Sequence, residues 1–265
     1  MRIAVIGGTG VYGMEGGTFS EKIISTPFGE ALTFLGTGDL EHVVFLARHG
    51  PEHNIPPHRV NYRANLYALY QLGVERIMAT YAVGSLNLSI PPGGMVALDQ
   101  MIDMTHGRDF TFFDGGEYGL AHTDFTYPYC PALRKNLLSL APKYDLEMQS
   151  TGTYIAFNGP RLETAAEIQY FASMGGDVVS MTGAPEAQLA RELSMHFAGV
   201  ATSINYAAGL KKGQTAMDTS GLKAKLGKLL NLFLDSMNDP LEETCDCETS
   251  VRVTHKPTAW QLRQA

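Results

Sequence analysis

Arg48 and His49 are residues whose types and setting suggest chemistry. They stand in Arg48-His49-Gly50 directly after the apolar run Val43 to Ala47, and His53 and His58 follow in the stretch HGPEHNIPPHRVNYRAN. A guanidinium offers a charged fork suited to a phosphate, and imidazole and threonine hydroxyls can complete a cage around such an anion. Three histidines could also suggest zinc. Their spacings of four and five fall in a proline-rich loop with no cysteine or carboxylate cluster to complete a tetrahedron, so phosphate is the better ligand and no metal is expected.

A second anion-directed feature opens the chain. Gly8-Thr9-Gly10-Val11-Tyr12-Gly13 follows the β-branched run Arg2 to Ile6 and satisfies G-x-G-x-x-G, with Glu30 as a candidate ribose acid. A dinucleotide site also requires a helix that starts at the second glycine, because its N-terminal amides hold the pyrophosphate. Gly16-Gly17 interrupt any such helix and Glu21 to Ser25 reads as the next strand, so nicotinamide or flavin binding is not expected. The same turn can bring backbone amides to an anion with Thr9 adding a hydroxyl donor, or be a plain strand-to-loop turn.

The elements that must position these residues follow from periodicity. Short strand-like runs recur at Arg2 to Ile6, Val43 to Ala47, Arg76 to Thr80, Met95 to Leu98, Gly152 to Phe157, Asp177 to Met181 and Gly199 to Ile204. Helical stretches alternate with them: Tyr62 to Leu72, Pro131 to Leu140, Glu163 to Ser173, Pro185 to Met195 and Thr219 to Ser236. The alternation predicts one α/β domain over residues 1–240, whose chemistry collects at the carboxyl ends of strands. After Asp239-Pro240 the periodicity fades, and 241–265 reads as a C-terminal tail carrying Cys245-Asp246-Cys247.

Composition narrows the partners. The 265 residues carry a formal charge of −7, which leaves no basic footprint for nucleic acid or an anionic membrane. The MRIAVIGG start lacks the features of a secretory signal and no run of about 18 apolar residues occurs, so a soluble, cytoplasmic protein is expected. Three cysteines, Cys130, Cys245 and Cys247, are too few for a disulfide framework. The Cys-x-Cys pair can stay reduced, bind a metal weakly or form a redox pair.

Seven blocks, in order, resemble the trimeric purine nucleoside phosphorylase and 5′-methylthioadenosine phosphorylase family: GGTG at 7–10, RHG at 48–50, PPHRVNYRAN at 56–65, AVGSL at 82–86, GTYIAFNGPRLET at 152–164, MTGAPEAQLARE at 181–192 and INYAAG at 204–209. The resemblance runs from residue 3 to about 235. It implies a central mixed twisted sheet flanked by helices and a purine nucleoside phosphorylase, a pentosyltransferase of purine salvage that needs no cofactor and uses inorganic phosphate as co-substrate. It places Thr9, Arg48, His49, Ala82 and Thr182 around the phosphate, with Tyr81 where the family usually has a smaller polar residue. Met181 would lie under the ribose, although packing behind a strand explains it equally well. His122 in AHTDFTYPYC resembles the segment that a neighbouring subunit lends to the 5′ end of the substrate, which implies a homotrimer or a dimer of trimers.

The resemblance also implies which purine is read. Asn205 holds the position facing the six-substituent, where the family has aspartate for 6-amino and asparagine for 6-oxo purines. An amide can donate to a carbonyl oxygen while its own oxygen accepts from a ring N–H, whereas a carboxylate would repel the carbonyl lone pairs. Ala207 agrees, because the methylthioadenosine enzymes usually carry a second aspartate there. Glu163 in the GPRLET run can accept the ring N–H of hypoxanthine or guanine, or else serve as a helix N-terminal acid. Leu162 and Tyr206 flank these readers, and Met217 is a candidate for the 5′ end. Inosine and guanosine are thus the expected substrates, with 5′-methylthioinosine or 5′-methylthioadenosine as alternatives. A non-catalytic nucleotide-binding module and a nucleoside hydrolase are the readings from other classes, and a hydrolase leaves the arginine and threonine cage without a purpose.

Overall fold

The computed structural model describes residues 1–7, 18–211, 222–241 and 244–263. In chain order these residues form β1 (Arg2–Gly7), β2 (Phe19–Thr26), β3 (Gly29–Gly36), β4 (Val43–Ala47), α1 (Tyr62–Gln71), β5 (Val74–Ser85), β6 (Met95–Ala97), β7 (Gln100–Asp103) and β8 (Leu120–Thr123). There follow α2 (Pro131–Leu140), β9 (Thr153–Ala156), α3 (Ala165–Ser173), β10 (Val178–Ser180), α4 (Gly183–Glu192), β11 (His196–Tyr206), α5 (Leu222–Asn238) and β12 (Val251–His255). The expected helices are all present. Strands β3, β7, β8 and β12 are additions: three are largely solvent-facing pieces without a continuous apolar run, and β3 is interrupted by polar Glu30 and Thr33.

Ten strands make one mixed sheet in the order β2-β3-β4-β1-β5-β10-β9-β7, with β11 on β5 and β6 on β11. The apolar runs are continuous because both faces are covered. On β1, Ala4 and Ile6 enter the core cluster shared with α1 and α4, while Ile3 and Val5 enter the one shared with α2 and α5. Caps set where helices begin. The Asn61 side chain accepts from the Ala64 amide to start α1, and Thr164 with Glu167 closes a full capping box on α3.

Strand β5 positions the site. It pairs in parallel with β1 through Ala79 and antiparallel with β10 only from Gly84, while β11 follows it along its length on the other side. The edge between β1 and β10 is therefore split across Thr80 to Val83, at the carboxyl end of β1. The backbone oxygens exposed by the split are taken up by side chains: Arg48 Nη1 donates to the Thr80 carbonyl at 3.1 Å and Ser180 Oγ to that of Ala82 at 2.8 Å.

The C-terminal segment is packed rather than aperiodic chain lying apart. β12 pairs antiparallel with β8 as a two-stranded ribbon. Beyond it, Trp260 is buried against Phe28, Tyr67, Phe112 and Phe113, with its indole N–H on the Tyr118 carbonyl at 3.2 Å. One large aromatic anchors this docking, helped by Gln261 on the Tyr67 hydroxyl and Arg263 on the Val74 carbonyl, and no periodic pattern could announce it.

Candidate active site

A cavity of about 320 Å³ opens at the split edge, with Arg48, His49, Tyr81, Ala82, Met181 and Thr182 among its walls. Six residues singled out from the sequence, on three separate stretches of chain, thus converge. Ser180, His53 and residues 54–57 complete the lining.

Arg48 is 2% exposed, and its backbone amide bonds the Gly7 carbonyl at 3.0 Å, which fixes it beside the end of β1. Its fork is engaged by Glu186: Nε lies 2.5 Å from Oε1 and Nη2 2.8 Å from Oε2. With Nη1 on Thr80, three of the five N–H groups have partners in the protein and one on each terminal nitrogen is left for a ligand. Tyr81 stacks under the guanidinium at 4.7 Å and donates its hydroxyl to Glu186 Oε2 at 2.8 Å. Burial, then the Glu186 charge, push the Tyr81 phenol well above its ordinary value, so the donating hydrogen is kept. Where a smaller polar residue was the expectation, tyrosine supports the carboxylate that holds Arg48.

His49 is fastened reciprocally to its loop: its Nδ1 lies 2.8 Å from the Ile55 carbonyl, and the Ile55 amide bonds the His49 carbonyl at 3.0 Å. Burial, then Arg48, lower its pKa from 6.5 to about 4, so the ring is neutral near pH 7. A carbonyl can only accept, so Nδ1 carries the hydrogen and Nε2 is an acceptor. Thr182 precedes α4, and the Thr182 and Gly183 amides both donate to the buried Tyr154 hydroxyl, at 3.2 and 3.0 Å.

Glu186, Tyr154 and Arg108 were not found from the sequence. A buried arginine implies a buried acid, and Glu186 stands among the apolar positions Ala184, Ala187, Leu189 and Ala190 of α4, which was the available signal. Arg108 lies in a loop and gave none. Its side chain ties three loops together by donating to the carbonyls of Met181 (2.7 Å), Ala184 (2.7 Å) and Asn158 (2.9 Å). Met181 is thereby held at the cavity, and its Sδ would lie 2.4 Å from a Cβ at position 159, so Gly159 is required for the approach.

The other candidates lie outside the cavity walls. Asn205, Tyr206 and Ala207 are at the end of β11; Asn205 is half-buried, and its Nδ2 donates to the Tyr206 carbonyl at 2.8 Å. Glu163 and the exposed Leu162 precede α3. The helix-capping acid is Glu167, which also pairs with Arg161 at 2.6 Å, so that alternative role for Glu163 falls away. Burial raises the Glu163 carboxyl above its ordinary value. The two segments approach closely: a Cβ at Gly209 would lie 2.7 Å from the Ala165 Cβ. His122 is exposed on β8, away from the cavity of its own chain. Thr9 and Met217 fall outside the described residues.

The α/β sheet is thus split at strand carboxyl ends, where ligands collect in such folds, beside a buried arginine and a neutral histidine. The chain belongs to the phosphorylase superfamily, whose family model matches residues 2–233. It is 47% identical over 259 residues to the 6-oxopurine nucleoside phosphorylase of Pyrococcus furiosus, covering 95% of this chain and 98% of that one. It is 46% identical over 218 residues to a probable S-methyl-5′-thioinosine phosphorylase of Thermodesulfovibrio yellowstonii, covering 80% of each. Among solved structures, a methylthioadenosine phosphorylase from an antarctic soil metagenomic library superimposes with a TM-score of 0.84 at 32% identity, covering 98% of this chain and 94% of that one. Among the described residues, no helix is long and apolar enough to cross a membrane.

Proposed function

We propose that this chain cleaves 6-oxopurine nucleosides, inosine and guanosine, with inorganic phosphate, releasing the free base and ribose 1-phosphate. The observation that carries this reading is the convergence of Arg48, His49, Ala82 and Thr182 on one cavity at the split edge of β5, in a chain of this family. The free N–H groups of Arg48 suit phosphate oxygens, and the lone pair on His49 Nε2 suits the remaining P–OH of a monohydrogen phosphate. Thr9 follows β1 by two residues, and the last residue of β1 is bonded to the Arg48 amide, which supports a share in the same anion.

A phosphate oxygen forms a bond to the anomeric carbon as the glycosidic C–N bond breaks, and the departing purine takes that electron pair. The dianion stabilises the oxocarbenium character of the sugar, so no pair of carboxylates acting on water is required. Met181 would cover the apolar face of the ribose. At the base, Asn205 offers a second amide hydrogen to the six-carbonyl and its Oδ1 to the N7–H formed as the departing base takes up a proton, and the charge developing on the purine strengthens the amide's donated bond. Glu163 would accept the ring N–H, and guanine's amino group as well.

His122 is exposed on a ribbon that also exposes Leu120, which supports a homotrimer, or a dimer of trimers, in which a neighbour's His122 reaches the 5′ end. The relative named for methylthioinosine, at similar identity, favours one second reading, in which the same 6-oxo base carries a 5′-methylthio group. Release of base from inosine, guanosine, adenosine, methylthioinosine and methylthioadenosine, with and without phosphate on one preparation, tests both. Preference for inosine and guanosine is expected; preference for methylthioinosine would select the second reading, and release without phosphate would overturn both.

A further inference from the structure

Four soft donors converge away from the cavity. Cys130 caps α2, His196 opens β11, and Cys245 and Cys247 come from the C-terminal segment; their three sulfurs and one ring nitrogen all lie within 4.8 Å of one another. The chain brings them together by tertiary folding, since Cys130 is 66 residues from His196 and His196 is 49 from Cys245.

The spacing fits a small tetrahedral ion. The Sγ atoms of Cys130 and Cys245 lie 3.5 and 3.4 Å from His196 Nδ1. With Zn–S about 2.3 Å and Zn–N about 2.05 Å, the sulfur-to-nitrogen edge of a tetrahedral site is about 3.6 Å. The surroundings also suit thiolates. The Leu133 amide donates to Cys130 Sγ at 3.4 Å and Arg191 Nη1 to Cys247 Sγ at 3.0 Å. His196 Nε2 lies 3.8 Å from the Glu248 carboxylate, on the side away from the sulfurs, as in carboxylate–histidine–metal arrangements. Three thiolates around a dication leave one net negative charge, and Arg191, only 2% exposed, places a guanidinium between Cys247 and the Asp246 carboxylate, 2.5 Å from its Nη2.

We propose that Cys130, His196, Cys245 and Cys247 form a structural zinc site that fastens the C-terminal segment to the core. Four protein ligands fill the tetrahedron, so the ion has no open position for chemistry, and its donor set selects zinc over magnesium or calcium. On binding, the thiols release their protons to solvent and no electron is transferred. The ion would lock the chain just before β12, and with it the ribbon that carries His122.

The test uses the full chain purified without chelator. Elemental analysis should find close to one zinc per chain, freed in step with titration of the three thiols by a mercurial. The protein reconstituted with Co²⁺ should show thiolate-to-cobalt charge transfer and the intense visible bands of a tetrahedral ion. Cys245→Ser, at the half-buried position, should lose the metal and melt at a lower temperature. Substoichiometric zinc that added Zn²⁺ does not raise, with either three free thiols or a Cys245–Cys247 disulfide, would overturn the proposal. So would a cobalt spectrum without thiolate charge transfer, which tests the wild-type chain and does not depend on any variant folding.

Discussion

The cavity around Arg48 and the segments carrying Asn205 and Glu163 differ in how firmly the chain holds their polar groups. Around Arg48 each polar side chain is held by a partner in the protein: guanidinium on carboxylate, phenol on the same carboxylate, imidazole on a carbonyl. In the second region, Glu163 sits in a loop between the exposed Arg161 and Leu162 and α3, and the Asn205 side chain bonds its neighbour's carbonyl. On the proposed reading, the first region is preorganised for one unvarying anion. On the same reading, the second offers half-buried groups whose replacement would change which base is matched without disturbing the core.

Glu186→Gln breaks the comparison most severely. It leaves the fully buried Arg48 guanidinium without its countercharge, and loss of one partner of a buried pair costs about 3–5 kcal/mol. Denaturant melts should show that loss, together with a sharp fall in phosphate-dependent turnover. A variant as stable and as active as the parent would show that Glu186 does not hold the fork.

Asn205→Asp acts on the other region and should leave stability nearly unchanged. A carboxylate facing a six-carbonyl leaves a polar mismatch of about 1–3 kcal/mol. The inosine-to-adenosine ratio of kcat/KM should therefore fall by about tenfold or more, with the phosphate KM unaltered. An unchanged ratio would remove Asn205 from base recognition.

Tyr81→Phe is a finer probe of the first region. It deletes one hydrogen bond to a charged group, worth about 1.5 kcal/mol, while the ring still stacks on Arg48. The phosphate KM should rise up to about tenfold with the inosine-to-adenosine ratio constant. A shift in that ratio would mean that the two regions are coupled.

Much of this was legible in the sequence, and the reasons are specific. β1 and β4 are buried on both faces, so their apolar runs announce them. Asn61 caps α1 directly before the start expected at Tyr62, whereas the cap of α3 is Thr164, one residue inside the helix expected from Glu163. Arg48 and His49 were legible as a pair because they follow such a strand. Glu186 was not, since its role depends on how α4 packs against the sheet to meet Arg48 and Tyr81, which is a tertiary fact. Arg108 and Trp260 were hidden for the same reason: each acts from an aperiodic segment on partners far away in the chain. The Cys-x-Cys pair was visible, but its meeting with Cys130 and His196 was not.

His49 provides the smallest effect and the sharpest statement about the first region. Its folded pKa of about 4 lies below the ordinary 6.5, so the unfolded chain takes up a proton in that interval and the folded chain does not. Stability from this group is therefore full above pH 6.5, falls as pH drops from 6.5 to about 4, and falls no further below that. His49→Gln removes the titration. It also removes the bond to the Ile55 carbonyl, but that loss is independent of pH and shifts the whole curve equally. Melting temperatures in phosphate-free buffer should thus show the variant below the parent at pH 7.5 and the gap narrowing by pH 5. A gap that stays constant would mean that His49 titrates normally in the folded chain, and the lowering by burial and Arg48 would have to be given up.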